Sequence, residues 1–396
     1  MVQDFLSLNF LIYRKNSCMS NYSRRNVITV ATLAMEANCI SGRSIMRSDN
    51  IDVFELKREI NKSALDKSMS GVKNFSEFGA KGDGVSDNSE AWKKVAIWAS
   101  GRSFSGNSPK LLISPGRYVS FEMPNLAIDR FHMQFDGEVW LINNGRDHSF
   151  ILDGGSAGDG VYGMVITGWP QIYGNKNSKN GIFARGIFNS HLQFNCRGAG
   201  SDGVGFYGAW LVDNKIEFIM TSVEGGLYNA PKCGILLTTR NVNEDSSYNN
   251  IEIKISGVDV GVALYSSLGN SIYGGSIQNC IVGMQLYEGA WDNKIWATDF
   301  EGNETDIIDS SKRLYLNGCD LNGLSHFIDG SSGAKIFGGR VEKIKVDSHV
   351  SNILISGVGF NRTGSGYYQN SSSTTRLRDV FDISGGNYLD EKQLTN

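Results

Sequence analysis

Proline is scarce, with 5 residues in 396, and the 6 cysteines form no C-x-x-C pair and no Cys/His cluster at metal-ligand spacing. The first shortage leaves little to interrupt a strand ladder. The second gives no reason to expect a structural metal, and the sequence calls for no metal and no cofactor. Cys196, Cys233, Cys280 and Cys319 sit inside apolar strand-like runs, where free cysteine packs as a small hydrophobe, so a disulfide framework is not expected. Charge of one sign is lacking as well. A formal net charge of -3 and a pI near 6.0 leave no broad basic surface, and nucleic acid is excluded as a partner. No run of 18 apolar residues occurs, so no membrane-spanning helix is expected.

What is abundant is glycine, 47 residues, together with the strand formers Val, Ile, Phe and Tyr. That mixture reads as many short strands joined by tight turns. The length would permit two or three domains. Residues 1–70 carry no strand periodicity and are read as a leader or N-terminal segment, 71–375 as one β domain and 376–396 as a C-terminal tail. Within the leader, Ser23-Arg24-Arg25-Asn26-Val27-Ile28 followed by Thr29 to Met35 resembles a twin-arginine export signal, with Met19 as an alternative start; this implies a secreted or periplasmic protein.

After Val72 comes Phe78-Gly79-Ala80-Lys81-Gly82-Asp83-Gly84-Val85-Ser86-Asp87-Asn88, and then apolar residues at 91, 92, 95, 96 and 98 or 99. That spacing predicts a helix from Ser89, with Asp87 or Ser86 at its exposed amides and Glu90 in its first turn. The segment resembles the opening of the pectate-lyase-like β-helix superfamily, which includes polygalacturonase-related proteins and phage tailspikes. The resemblance implies an all-β fold, a right-handed parallel β-helix, with this helix capping its open end.

The downstream chain tests that expectation independently, because a solenoid repeats near 20 residues. Aligning T-S-V-E-G, S-G-V-D-V, G-S-I-Q-N, T-D-F-E-G, C-D-L-N-G, G-R-V-E-K and V-G-F-N-R places Val223, Val258, Ile277, Phe300, Leu321, Val341 and Phe360 in one inward column, at steps of 35, 19, 23, 21, 20 and 19. A second column is expected from Val262, Met284, Ile307, Phe327 and Ile344, with Gly261 and Gly283 marking the bend between strands. The long step is assigned to a polar loop over Thr238 to Tyr248.

Each residue after the first column is an acid or an amide: Glu224, Asp259, Gln278, Glu301, Asn322, Glu342 and Asn361. At a strand spacing of about 4.8 Å, Glu224 and Asp259 would lie about 5 Å apart, and Asp259 and Glu301 about 9 to 10 Å apart. Glycoside hydrolysis uses carboxylate pairs at both kinds of separation, and stacked carboxylates raise one another's pKa. The candidate catalytic residues are therefore Glu224, Asp259, Glu301, Asp299 and Asp202, the last beside Tyr207 in a glycine-dense turn. Candidate sugar-stacking and substrate-binding residues are Trp210, Tyr207, Trp291, Trp296 and Arg240. His191 and Arg340 join Arg240 as groups that a lyase would use, although His191 alternates with apolar residues as a structural histidine would. Gly203-Val204-Gly205 has no Rossmann context, so no dinucleotide site is read from it. The N-T-D, D-D, G-H-G and R-I-K set of true polygalacturonases is absent.

The resemblance, joined to this geometry, implies a polysaccharide-degrading enzyme, a glycoside hydrolase or polysaccharide lyase. Its substrate would be a bacterial capsule, exopolysaccharide or pectin-like polymer. A non-catalytic tailspike-like or adhesin-like glycan binder and a polymer-level epimerase are the alternatives. The expected partner is a polysaccharide, and tailspike-type relatives imply a homotrimer.

Overall fold

The computed structural model describes residues 71–104, 106–155, 160–221, 231–239, 244–361, 367–383 and 389. Glu224, Arg240, Val223, the export-signal stretch, Cys18 and Cys39 fall outside them. Strands dominate, and every pairing between them is parallel. Parallel strands cannot be joined by tight hairpins, so each connection must travel around before pairing again. The result is an all-β parallel solenoid of the right-handed type, with strand pairs linking each turn to the next.

Three long files of strands run along it. Sheet I includes His191, Lys215–Thr221 at its start, Asn250, Ser271, Lys294–Trp296, Tyr315–Asn317, Lys335–Phe337, Leu354–Ser356 and Arg376–Arg378. Sheet II continues the same turns through Asn195, Ile219, Lys254, Ser276, Asp299–Glu301, Asp320, Arg340 and Gly359–Phe360. Sheet III carries Ile182–Phe188, Val204–Val212, Cys233–Thr238, Val260–Leu264, Val282–Leu286, Thr305–Asp309 and the ends of the strands Asp320–Phe327 and Arg340–Val346. Arg376–Arg378 and Phe381–Asp382 still pair with the turn before them, so the sheets run on past residue 375.

The inward column of sheet II is Ile172, Cys196, Met220, Ile255, Ile277, Phe300, Leu321, Val341 and Phe360, all essentially buried. Ile255, not Val258, is the member at its turn. The strand Asn250–Ser256 alternates exposed and buried along Ile251, Ile253 and Ile255, and Val258 falls in the corner beyond it. The long step of 35 thus separates Met220 from Ile255. The loop expected over Thr238 to Tyr248 lies partly outside the described residues, and Ser246–Ser247 within it form a short strand, in which Ser247 pairs with Val212 and both pair with Ser267–Leu268. In sheet III the expected column holds through Val262, Met284 and Ile307, but its next member is Ser325. Phe327 belongs two residues on, in the neighbouring file of Leu264, Leu286, Asp309 and Val346. Near the start of its sheet III strand Gly261 has no room for a side chain: a Cβ there would stand 2.4 Å from the Gly283 carbonyl oxygen.

The helix Ser89–Phe104 buries Ala91, Trp92, Val95, Ala96 and Ala99, the positions its periodicity selects. Asp87 accepts the Ser89 amide at 2.9 Å, and Trp92 meets the Phe75 ring at 4.1 Å inside the common core. Cys196, Cys280 and Cys319 are buried and all four described cysteines are free; burial pushes the Cys196 and Cys233 thiols up to about 12, which removes thiolate chemistry. No helix among the described residues is long and apolar enough to cross a membrane.

At the corner entering sheet I the backbone turns through a left-handed residue, Asp213, Tyr248, Gly269 or Asp292, each followed by a buried asparagine. Asn214 donates its side-chain amide to Asn249 (2.9 Å), Asn249 to Asn270 (2.8 Å) and Asn270 to Asn293 (3.1 Å). Each side-chain oxygen also accepts the backbone amide of the asparagine before it, at 3.0 to 3.2 Å. The ladder closes polar accounts that a buried corner could not otherwise satisfy.

One interior polar group has a cost. Asp309 occupies an apolar file with 0% exposure and accepts the hydroxyls of Ser311 and Ser331, both at 2.5 Å. Burial pushes its carboxyl up to about 6 from 3.8. The folded chain therefore holds this proton more tightly than the unfolded chain, and the group's contribution is full below about pH 4 and lost as pH rises through about 6. The upper bound is about 3 kcal/mol from a two-unit shift. Asp309→Asn is expected to flatten the difference in denaturant stability between pH 4 and pH 7 by up to that amount. An unchanged pH slope in the variant would show that Asp309 ionises freely.

Candidate functional site

Alternation around Ile277, Phe300, Leu321 and Val341 turns two files of side chains outward from sheet II. One is Ser276, Asp299, Asp320 and Arg340, in direct register on successive turns. The other begins at Gln278 and Glu301, and Asn322 and Glu342 follow Leu321 and Val341. Asp299 and Glu301 flank the fully buried Phe300 and share one face. Four acids, Asp299, Glu301, Asp320 and Glu342, and one arginine thus meet on three turns.

Their partnerships differ sharply. Arg340 grips Asp320 with two bonds, Nε to Oδ1 at 2.7 Å and an Nη to Oδ2 at 3.0 Å, and also donates to Asn322 Oδ1 at 2.6 Å. A guanidinium held in this fork is fixed in position. Glu301 is exposed and accepts one bond, from Gln278 Nε2 at 2.9 Å. The Asp299 carboxylate receives no hydrogen bond from a described residue. Partial burial raises its pKa above the usual carboxylate range, the charges of Asp320 and Glu301 push it further, and Arg340 partly opposes them. Burial and neighbouring charge thus favour the neutral form of Asp299 more than in an ordinary exposed aspartate, the property that a general acid needs.

Asp306 lies behind this face, with 0% exposure, at the position where Gly261 and Gly283 stand in the preceding turns. It accepts the Gly323 amide at 2.5 Å and the Asn303 side-chain amide at 3.0 Å. Burial, with the charge of Glu342 in support, pushes its carboxyl up to about 6.

Of the residues singled out in the sequence, Asp299, Glu301 and Arg340 come together on sheet II. Trp296 ends the sheet I strand just before Asp299 and lies 5.2 Å from the Tyr315 ring. Asp259 does not join them: it is exposed in the corner between sheets II and III and does not occupy the outward ladder, where Ser256 pairs with Gln278. Asp202 is exposed in a corner and pairs with Lys232 at 2.7 Å, which lowers its pKa. Its turn is four strand spacings, about 19 Å, from Asp299. Tyr207 stacks on Phe183 at 5.2 Å on sheet III, and Trp210 meets the Phe188 ring edge-on at 4.8 Å. Trp291 is 42% exposed, with the Lys312 ammonium 4.7 Å above its ring. His191 bonds Glu217 at 2.7 Å, with Gln193 and Lys215 on the same carboxylate, as a satisfied structural histidine does. Sequence reasoning missed Asp320 and Asp306. Asp320 was legible in C-D-L-N-G, one turn after T-D-F-E-G.

No family model and no curated protein matches the chain. Solved structures do match. The chain is similar to a DFA-IIIase from Arthrobacter chlorophenolicus A6 (TM-score 0.56, 8% identity, covering 83% of this chain and 96% of that one). It is similar also to PfbA, a surface adhesin of Streptococcus pneumoniae (0.55, 11%, 80% and 93%). A third match is ORF18 of Geobacillus virus E2 (0.52, 14%, 85% and 66%), of whose length this chain spans just under two thirds. At such identities the likeness shows the parallel β-helix fold, which is the fold that the opening motif implied.

Proposed function

We propose that the chain is a polysaccharide-acting protein that hydrolyses glycosidic bonds on the outer face of sheet II. The observation that carries this reading is the contrast between Asp299, unbonded and raised in pKa, and Glu301, exposed beside it on the same strand. Asp299 acts as the general acid on the leaving oxygen. Glu301 acts as the base that activates water, and Arg340, held by Asp320, is fixed to bind a sugar hydroxyl or carboxylate. Asp299 and Glu301 project from one face two residues apart, and an inverting route requires their carboxyl groups to stand about 6.5 to 9.5 Å apart, with room for the attacking water between them. Incubation with a panel of bacterial and plant polysaccharides is expected to release new reducing ends of inverted anomeric configuration. Products absorbing in the ultraviolet as unsaturated uronates would replace this mechanism with a lyase, and retention of polymer without any product would leave a glycan-binding module.

Export and homotrimerisation belong to the same proposal, since a solenoid presents several long faces of which one serves the substrate. Light scattering at micromolar concentration is expected to give three chains; a monomer would remove that part.

A further inference from the structure

On sheet I the outward side chains change character along the stack. Glu217 and Glu252 occupy one file, and the file then continues as Tyr273, Trp296, Asn317 and Phe337. The adjacent file runs Ser271, Lys294, Tyr315, Lys335, Leu354 and Arg376. From Ser271 to Arg378 no outward residue of a sheet I strand is acidic, while Lys294, Lys335, Arg376 and Arg378 are basic. Lys294, Lys335 and Arg376 are exposed and enter no ion pair among the described residues; Arg378 pairs with its neighbour Asp379 at 3.2 Å. Trp296, Tyr315 and Phe337 zigzag across the two files, with centroids 5.2 Å apart at each step. The chain as a whole is slightly acidic, and the next sheet presents Asp299, Glu301, Asp320 and Glu342, so this local excess of positive charge stands out against its surroundings.

We infer that the polymer handled by this protein is an acidic polysaccharide, seated on the outer face of sheet I across Trp296, Tyr315 and Phe337 with its carboxylates toward Lys294 and Lys335. This rests on the hydrolytic reading for its link to the acids but stands on separate residues. Flat half-buried rings offer apolar faces to pyranose rings. The two lysines flank Tyr315 two turns apart, about 9.6 Å, on the scale of a disaccharide. Only the corner at Ala297, Gly318 and Gly338 separates this face from Asp299, Asp320 and Arg340. A chain laid over the rings reaches the acids within a few sugars. Basic and aromatic side chains also suit single-stranded nucleic acid. The lysines are spaced for about one carboxylate per disaccharide, sparser than the charge on every unit of a nucleic-acid backbone, and the ring-rich centre fits the apolar faces of sugars.

Affinity electrophoresis of the full chain in gels holding polygalacturonate, alginate, hyaluronan, dextran or single-stranded DNA tests this. At least one of the three acidic polysaccharides is expected to retard the protein more than dextran and DNA do, and less so as salt rises. Lys294→Gln with Lys335→Gln is expected to weaken that retention about tenfold and to flatten its salt dependence. Tyr315→Ala is expected to weaken it by a similar factor with the salt dependence kept. Both variants are checked for an unchanged β circular-dichroism spectrum, and the glutamine pair alone decides if Tyr315→Ala misfolds. Retardation by none of the acidic polymers, by dextran equally, or by DNA most of all overturns the inference, as does indifference to the lysine pair. Cleavage is read separately with Asp299→Asn: retention kept and cleavage lost upholds both readings, whereas cleavage of a neutral polymer without acidic retention upholds hydrolysis alone.

Discussion

Asp299→Asn is expected to lower turnover on a cleaved polymer about 10²- to 10⁴-fold, the usual scale for loss of a general acid, with the fold unchanged. Glu301→Gln should cost a comparable factor. The two can be told apart by pH. Asp299 works protonated, so activity in the wild type should fall as pH rises through its raised pKa, and that basic limb should vanish in Asp299→Asn. Asp259→Asn and Asp202→Asn serve as comparisons, because both residues sit in exposed corners away from the patch; their effect should stay within about 0.5 kcal/mol. Near-full activity in both Asp299→Asn and Glu301→Gln would reduce the patch to an ordinary polar sheet face, and Arg240, His191 and Tyr207 would become the residues to test for a lyase.

Asn249→Leu is expected to be among the most damaging single changes for stability, about 2 to 6 kcal/mol. Asn249 is wholly buried, and its oxygen accepts both the backbone and side-chain amides of Asn214, while its own amide serves the Leu211 carbonyl. Leucine would leave the Asn214 backbone amide and the Leu211 carbonyl without these partners inside the protein, at about 1 to 3 kcal/mol each, while the Asn214 side-chain amide keeps the Ile187 carbonyl. Hydrophobicity at that corner is not the obstacle, because Leu314, Ala334 and Ile353 fill the equivalent corner in later turns. What matters is the loss of partners along the ladder. Denaturant unfolding of Asn249→Leu measures this, and Asn293→Leu, which strips the same kinds of partner from Asn270 and Ser267, should cost a comparable amount; a loss below about 1 kcal/mol at both positions would refute the account.

The architecture was legible because inward residues of a solenoid alternate with polar ones and return near every 20 residues. Ile277, Phe300, Leu321, Val341 and Phe360 could be aligned by that rule alone. The rule fails where two apolar residues lie three apart in similar settings. Lys254-Ile255-Ser256 and Gly257-Val258-Asp259 offer equal local patterns, and only pairing with Ile277 chooses the first. The choice carried Asp259 into a ladder that it does not occupy. Phe327 slipped for a related reason, since a bulge between Leu321 and Leu324 alters the count on that strand. The grip of Arg340 on Asp320 depends on register between turns and so could not be read from either segment singly. The asparagine ladder, by contrast, was visible as Asp213-Asn214-Lys215-Ile216, Tyr248-Asn249-Asn250-Ile251, Gly269-Asn270-Ser271-Ile272 and Asp292-Asn293-Lys294-Ile295. It went unread because asparagine near a turn ordinarily signals the turn itself.

That ladder ends at Asn293, and the same corner is lined by leucine, alanine and isoleucine thereafter. In a stack where each turn touches only its neighbours, cohesion is set joint by joint. The corner joints up to Asn293 are directional, since an amide bridge tolerates only one alignment of the two turns it links. Those from Leu314 onward are greasy contacts that allow slight sliding and twist. Asp299 lies on the last turn whose corner carries an asparagine, and Asp320 and Arg340 lie on the apolar-cornered turns that follow, so the patch straddles the change from directional to non-directional joints.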